Sequence, residues 1–119
     1  MKLLTKQIHE RLIRNGQLRR HCEEELKAEP DFLPVVKLFT PDAGCTWLLT
    51  EIDPEDPDIA FGLCDLGLGI VEVGPVSLQE LGRLRGKLGL PVERDRHFTA
   101  TRTLKAYASE AQQLGYIRT

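Results

Sequence analysis

Val35-Val36-Lys37-Leu38-Phe39-Thr40, then Pro41-Asp42-Ala43-Gly44, then Cys45-Thr46-Trp47-Leu48-Leu49-Thr50-Glu51-Ile52 decide the fold. The outer blocks carry β-branched and aromatic residues with a period of two. The middle block is turn chemistry, so the three read as an antiparallel hairpin. Strand alternation places Trp47, Leu49 and Glu51 on one face of the second strand. Downstream, Ile59–Leu66 reads as a third strand, Gly67–Gly69 as a turn and Ile70–Val73 as a fourth, which makes a four-stranded meander.

Helices flank this sheet. Thr5 caps a first helix in which Leu4, Ile8 and Leu12 recur at a spacing of four. Asn15-Gly16 interrupts the pattern, and Leu18, Cys22 and Leu26 restart it on another face, as two short helices or one broken one. Arg19, Glu23 and Lys27 are spaced to pair across single turns. Ser77-Leu78-Gln79-Glu80 has the form of a capping box, followed by Leu81, Leu84 and Leu88 on an apolar side. Val92–Phe98 reads as a charged edge strand. Thr101 or Thr103 starts a last helix that faces inward with Leu104, Tyr107, Ala108, Ala111 and Leu114 and stops at Gly115. The expected class is α+β: an antiparallel sheet of four to five strands packed with N-terminal, middle and C-terminal helices.

With 119 residues the chain has the length of a single domain, 1–119, divided into a helical segment 1–29, a sheet with inserted helix 35–100 and a C-terminal helix 101–119. A hydrophobic content of 41% with 29% charged residues fits an ordinary soluble protein. No apolar run approaches the roughly 18 residues of a membrane span, and the start turns polar too soon for a secretory signal, so a cytoplasmic location away from membranes is expected. Cys22, Cys45 and Cys64 are an odd, widely spaced set, which argues against a disulfide framework or structural zinc. A net charge of −2 gives no global field for nucleic acid.

Several spaced motifs carry a resemblance: Thr46-Trp47, Thr50-Glu51, Phe61-Gly62, Glu72-x-Gly74-x-x-Ser77-Leu78-x-Glu80-Leu81 and Glu93-Arg94-Asp95-x-x-Phe98, with an MKLLTK-like start. Over roughly residues 1 to 100 the chain resembles a domain-of-unknown-function family of small bacterial proteins often encoded on plasmids, integrative elements and phages. The resemblance brings no activity. It implies a setting in the biology of mobile elements, and on it residues 101–119 are an extension, residues 14–30 are longer and more charged than the family pattern, and Pro75-Val76 replaces aromatic residues.

Candidate chemistry is sparse. Glu51–Asp58, EIDPEDPD, holds five carboxylates in eight residues, but it lacks the glycine and ligand spacing of a calcium loop, and its prolines suit a solvated connection. Glu93, Asp95 and His97 alternate along one strand and are candidates for acid–base work. Glu51, Asp65, Glu72, Glu93 and Asp95 are the carboxylates on which a metal-dependent hydrolase of nucleic acid or nucleotides would draw, if three or more met in one pocket. Arg83, Arg85, Lys87, Arg94 and Arg96 concentrate positive charge that, with Trp47 or Phe98 as a stacking surface, would give weak nucleic-acid binding. Arg94 falls on the apolar side of its strand, where a pair with Glu51 would satisfy both. Ser77 is occupied as a cap, Cys64 lies in an apolar strand, and no phosphate loop or cofactor motif is present. The expected role is a binding or interaction module with a protein partner, and the hydrolase is the alternative.

Overall fold

The structure, a computed structural model, describes residues 3–119. Met1 and Lys2 of the MKLLTK-like start lie outside the described residues. The elements run α1 (Lys6–Glu24), β1 (Val36–Phe39), β2 (Thr46–Ile52), β3 (Ile59–Asp65), β4 (Val71–Ser77), α2 (Leu78–Arg83), β5 (Glu93–Arg94) and α3 (Leu104–Leu114). The strands form one antiparallel sheet in the order β4-β3-β2-β1-β5, so the expected meander is present and the α+β class holds. Among the described residues no helix is long and apolar enough to cross a membrane.

Each face of the sheet carries its own core. Leu12 of α1 and Leu81 of α2 pack with Val36, Leu38, Trp47, Leu49, Ile52, Ala60 and Val92 on one face. On the other, Leu104, Tyr107, Ala108 and Ala111 of α3 pack with Leu48, Leu63 and Val71. β2 is therefore covered on both sides, and each fully buried leucine or isoleucine there contributes about 1.5–3 kcal/mol.

The helix read as broken is continuous over 19 residues. Asn15-Gly16 serves as its docking point. β1 begins opposite Leu49, so β2 beyond that residue has no strand on the β1 side. The Asn15 amide fills the vacancy by donating to the Thr50 carbonyl at 2.9 Å. A Cβ on Gly16 would lie 1.8 Å from the Ile52 carbonyl oxygen, so only glycine lets the helix approach this closely. The second apolar spacing is not core: Leu26 is 93% exposed, and with φ at 54° it ends the helix in a left-handed turn closed by Lys27 N–H on the Cys22 carbonyl.

Two further elements are shorter than their patterns suggest. α2 stops at Arg83, and Leu88 is 81% exposed, because the Asp42 carboxylate of the β1–β2 turn accepts the N–H groups of Leu88 and Leu90 and holds that segment as a turn. β5 ends at Arg94. The next side chain, Asp95, accepts His97 N–H at 2.9 Å, a local turn that competes with the ladder.

Ser77 caps α2 as its motif predicts, its hydroxyl accepting Glu80 N–H at 3.2 Å. The second half of the cap comes from Asp58 of the acidic loop, whose carboxylate accepts the Ser77 hydroxyl at 2.6 Å and Gln79 N–H at 2.9 Å. These bonds, Ser77 first, hold the Asp58 carboxyl below its ordinary range.

Gly16→Ala separates two effects of opposite sign. Helix propensity alone favours alanine by about 1 kcal/mol, whereas the clash with backbone predicts a loss of about 1–3 kcal/mol or more; urea unfolding decides, and a stabilised variant would refute the close-packing account. The Asp58 cap predicts a pH signature. Its lowered folded pKa makes its contribution complete above the unfolded value of about 3.9 and lost as pH falls through the folded one. The stability gap between wild type and Asp58→Asn should close on acidification below pH ~4, and a gap constant from neutral pH to there would count against the cap.

Candidate functional site

A β-bulge sets the position of Glu51. The pairing of β2 with β3 slips between Leu49↔Gly62 and Glu51↔Phe61, so one extra residue is accommodated at Thr50. Phe61 and Gly62 point to opposite faces, and Glu51, opposite Phe61, is thereby turned away from Trp47 and Leu49 to the α3 side. Simple alternation misses this. Gly62 admits the crowding, since a Cβ there would lie 2.0 Å from the Leu48 carbonyl oxygen.

The carboxylate that results is 5% exposed. Its partner is Arg19 of α1, and Arg94 instead donates to the Leu3 carbonyl at 2.7 Å. The gap beside β2, where β1 has not begun, lets the Arg19 side chain reach from one face of the sheet to the other. Its Nε donates to Glu51 at 2.5 Å, Nη1 pairs with Glu29, and Nη2 donates to the Pro30 carbonyl at 3.3 Å. The guanidinium also lies against the rings of Phe32 and Phe61, with centroids at 5.6 and 5.8 Å. Burial pulls its pKa down, but the hydrogen bond and charge of Glu51, with Glu29 and Glu23, outweigh that and hold it above the ordinary value. Residues 25–35 are thus strapped across the sheet, and they continue to α3, where Phe32 and Asp31 accept the N–H groups of Leu104 and Lys105.

Under this strap lies a cavity of about 290 Å³ walled by Phe32, Phe61, Val73 and Leu104, with Thr50 and the charged residues Arg19, Glu29, Asp31 and Lys105 also lining it. It has the composition of a binding pocket, largely apolar with a few placed polar atoms. It opens beside the edge strand β4. Asp53 N–H bonds the Ile59 carbonyl, so Ile59 and alternate β3 residues face β2. Their β4 partners, among them Pro75 opposite Phe61 and Val73 opposite Leu63, therefore turn their main-chain groups outward. Val73 is 43% exposed, and no strand lies beyond β4 among the described residues.

The five candidate carboxylates do not converge. Glu51 is held by Arg19, and Asp65, also buried, accepts the N–H groups of Gly67 and Ile117. Asp65 stands four residues along β3 from Phe61, the partner of Glu51, or roughly 13 Å away. Glu72 is exposed on β4, opposite Cys64 and thus on the other face from Glu51, while Glu93 and Asp95 lie across the sheet at β5. Among the described residues no three His, Cys, Asp or Glu side chains gather as a ligand set. In the acidic loop, Asp53 and Asp56 accept backbone N–H groups, and Arg20 reaches Glu55 at 2.6 Å and Asp53 at 3.8 Å. Cys64 stays a thiol: burial, then Glu72, push its pKa up to about 11.

Trp47 is 2% exposed in the α1-side core, so the expectation of a stacking surface is corrected for it: the hairpin register sets the ring opposite Leu38 in that core. Of the basic stretch, Arg83, Arg85, Lys87 and Arg96 are exposed, and Arg85 covers the Gly82 and Leu84 carbonyls at the end of α2. Asp95 and His97 do share a second concavity of about 510 Å³, with Lys37, Arg102 and Arg118.

The family match extends from residue 3 to residue 118 and carries the description "Protein of unknown function (DUF2958)". The chain belongs to the DUF2958 family. No curated protein and no solved structure matches it. The match corrects one expectation from the resemblance: residues 101–118 are part of the DUF2958 region rather than an extension, in keeping with α3 supplying one of the two cores. Of the motif residues, Thr50 and Phe61 line the 290 Å³ cavity and Glu51 holds its arginine. Phe32, which completes the site, carries no local signal in the sequence, and Arg19, spaced to pair with Glu23, instead forms its ion pairs with Glu51 and Glu29.

Removing one partner of the Arg19–Glu51 pair strands a buried charge. Arg19→Met should cost about 3–5 kcal/mol, whereas Arg19→Met with Glu51→Leu should regain most of it. Additive losses in that double-mutant cycle would mean that the two side chains are not coupled.

Proposed function

We propose that this protein is a binding module that accepts an extended segment of a partner protein along β4, with one large apolar side chain seated in the cavity beside Val73. A strand added to this edge would bond the outward main-chain groups of Val73, and its residue facing Val73 would point to the α3 side, where Phe32, Phe61 and Leu104 wait. The observation that carries this reading is that coincidence of a free sheet edge with an apolar pocket on the same face. Pro75, which offers a carbonyl but no N–H, limits pairing to a short register and discourages indiscriminate edge association. The scatter of the carboxylates speaks for binding over metal-dependent hydrolysis. The setting we assign, the bacterial cytoplasm and the biology of mobile elements, rests on the motif resemblance alone.

Panning a random peptide library displayed on phage against the folded protein tests the reading. Selected peptides should share a large apolar residue, slow amide exchange at Val73 when bound, and lose at least tenfold in affinity, about 1.4 kcal/mol, to Val73→Lys. Peptides that bind this variant equally and leave the Val73 amide unchanged would reject the edge as the site.

A further inference from the structure

The larger concavity lies on the opposite side of the sheet order, where β1, the turn after β5 and the C-terminal segment meet. Lys37, Arg102 and Arg118 line it, together with His97, against a single lining carboxylate, Asp95. Thr99, Thr101 and Tyr107 add hydroxyls, of which those of Thr101 and Tyr107 share a hydrogen bond at 3.4 Å and the Tyr107 oxygen also accepts the Thr101 N–H at 3.1 Å. With Glu110, which pairs with both arginines, three cations here face the two carboxylates Asp95 and Glu110, a local excess of positive charge on a chain of net charge −2.

The two arginines are held in place without being used up. Glu110 accepts from Arg102 at 3.1 and 3.3 Å and from Arg118 at 2.8 Å, which binds both guanidinium groups to one anchor. Arg102 also stacks on the Tyr107 ring at 4.5 Å. A guanidinium carries five N–H donors, so most of those on both arginines remain free for another acceptor. Lys37 spends one donor on the Thr119 hydroxyl at 2.6 Å and stands 3.7 Å from Asp95.

We propose that this cavity binds a small phosphate monoester. A terminal phosphate is close to a dianion at neutral pH and offers three acceptor oxygens, which suits several cations and hydroxyls converging on one hollow better than the single charge of a diester. A volume of about 510 Å³ is in the range of small-ligand sites. Lys37 and Asp95 also line an adjoining hollow of about 320 Å³ that runs past Phe39 and Thr40. That hollow takes the esterified moiety, and Asp95, on the saddle between the two, accepts a hydroxyl or amino proton from it. The site is distinct from the peptide edge, and either stands without the other.

Two-dimensional NMR titrations at constant ionic strength test it, with inorganic phosphate, ribose 5-phosphate and a short single-stranded oligonucleotide as probes. Both phosphates should give saturable shifts at Lys37, Thr99, Thr101 and Arg102, with ribose 5-phosphate the tighter. Lys37→Gln and Arg102→Gln should each weaken binding at least fivefold, while Arg83→Gln with Lys87→Gln, outside the cavity, should leave it unchanged. Lys37→Gln keeps the test decisive should Arg102→Gln disturb the fold. Non-saturable shifts, equal losses in the Arg83/Lys87 variant, or an oligonucleotide that binds these residues more tightly than ribose 5-phosphate would overturn the proposal.

Discussion

The Arg19–Glu51 contact ties α1, β2 and the segment leading to α3 to one another. Glu51 is buried because β2 is covered on both faces, the bulge turns it to the α3 side, and a carboxylate in that position needs a cation to offset its desolvation. Arg19 supplies it from a helix packed on the opposite face, and in doing so gathers Glu29, Pro30 and Phe32. The strap then has a fixed path to α3, whose first turn it caps through Asp31 and Phe32. The energetic return on such a pair is small compared with an apolar replacement, so its structural effect is the geometry it imposes.

That geometry leaves the two sheet edges unlike each other. β5 is two residues long, closed off by the Asp95 turn and by the polar cavity of Lys37 and Arg102. β4 is seven residues long and faces outward with Val73, but Pro75 and Glu72 interrupt its suitability as a general template. One edge is thus long, bounded and adjacent to an apolar pocket, the arrangement on which the proposed peptide site rests.

Local patterns in the chain determined much of the architecture. The hairpin around Pro41–Gly44, the order of the meander, the Ser77 cap and the Gly115 stop depend on short-range periodicity, turn residues and side-chain bonds to nearby N–H groups and appear where those rules place them, while of Thr101 and Thr103 it is Thr103 that caps α3, and β4 runs past Val73 to Ser77. The same rules led to errors where a distant group intervened. Asn15-Gly16 has the composition of a break but is a docking point for β2, and Leu88 has the spacing of a core residue but is left in solvent by the hold of Asp42 on its turn.

The sequence alone therefore determined the hairpin, the four-stranded meander and the helix caps, because each is encoded within a few residues of itself. Only the tertiary structure decided which face Glu51 takes, that its cation is Arg19 rather than Arg94, and that Phe32, Phe61, Val73 and Leu104 enclose a cavity. The reason is physical. A one-residue bulge reverses every facing that follows from alternation, and the partners of a buried charge are chosen by what packing brings within reach across 32 residues of chain, a distance at which periodicity carries no information.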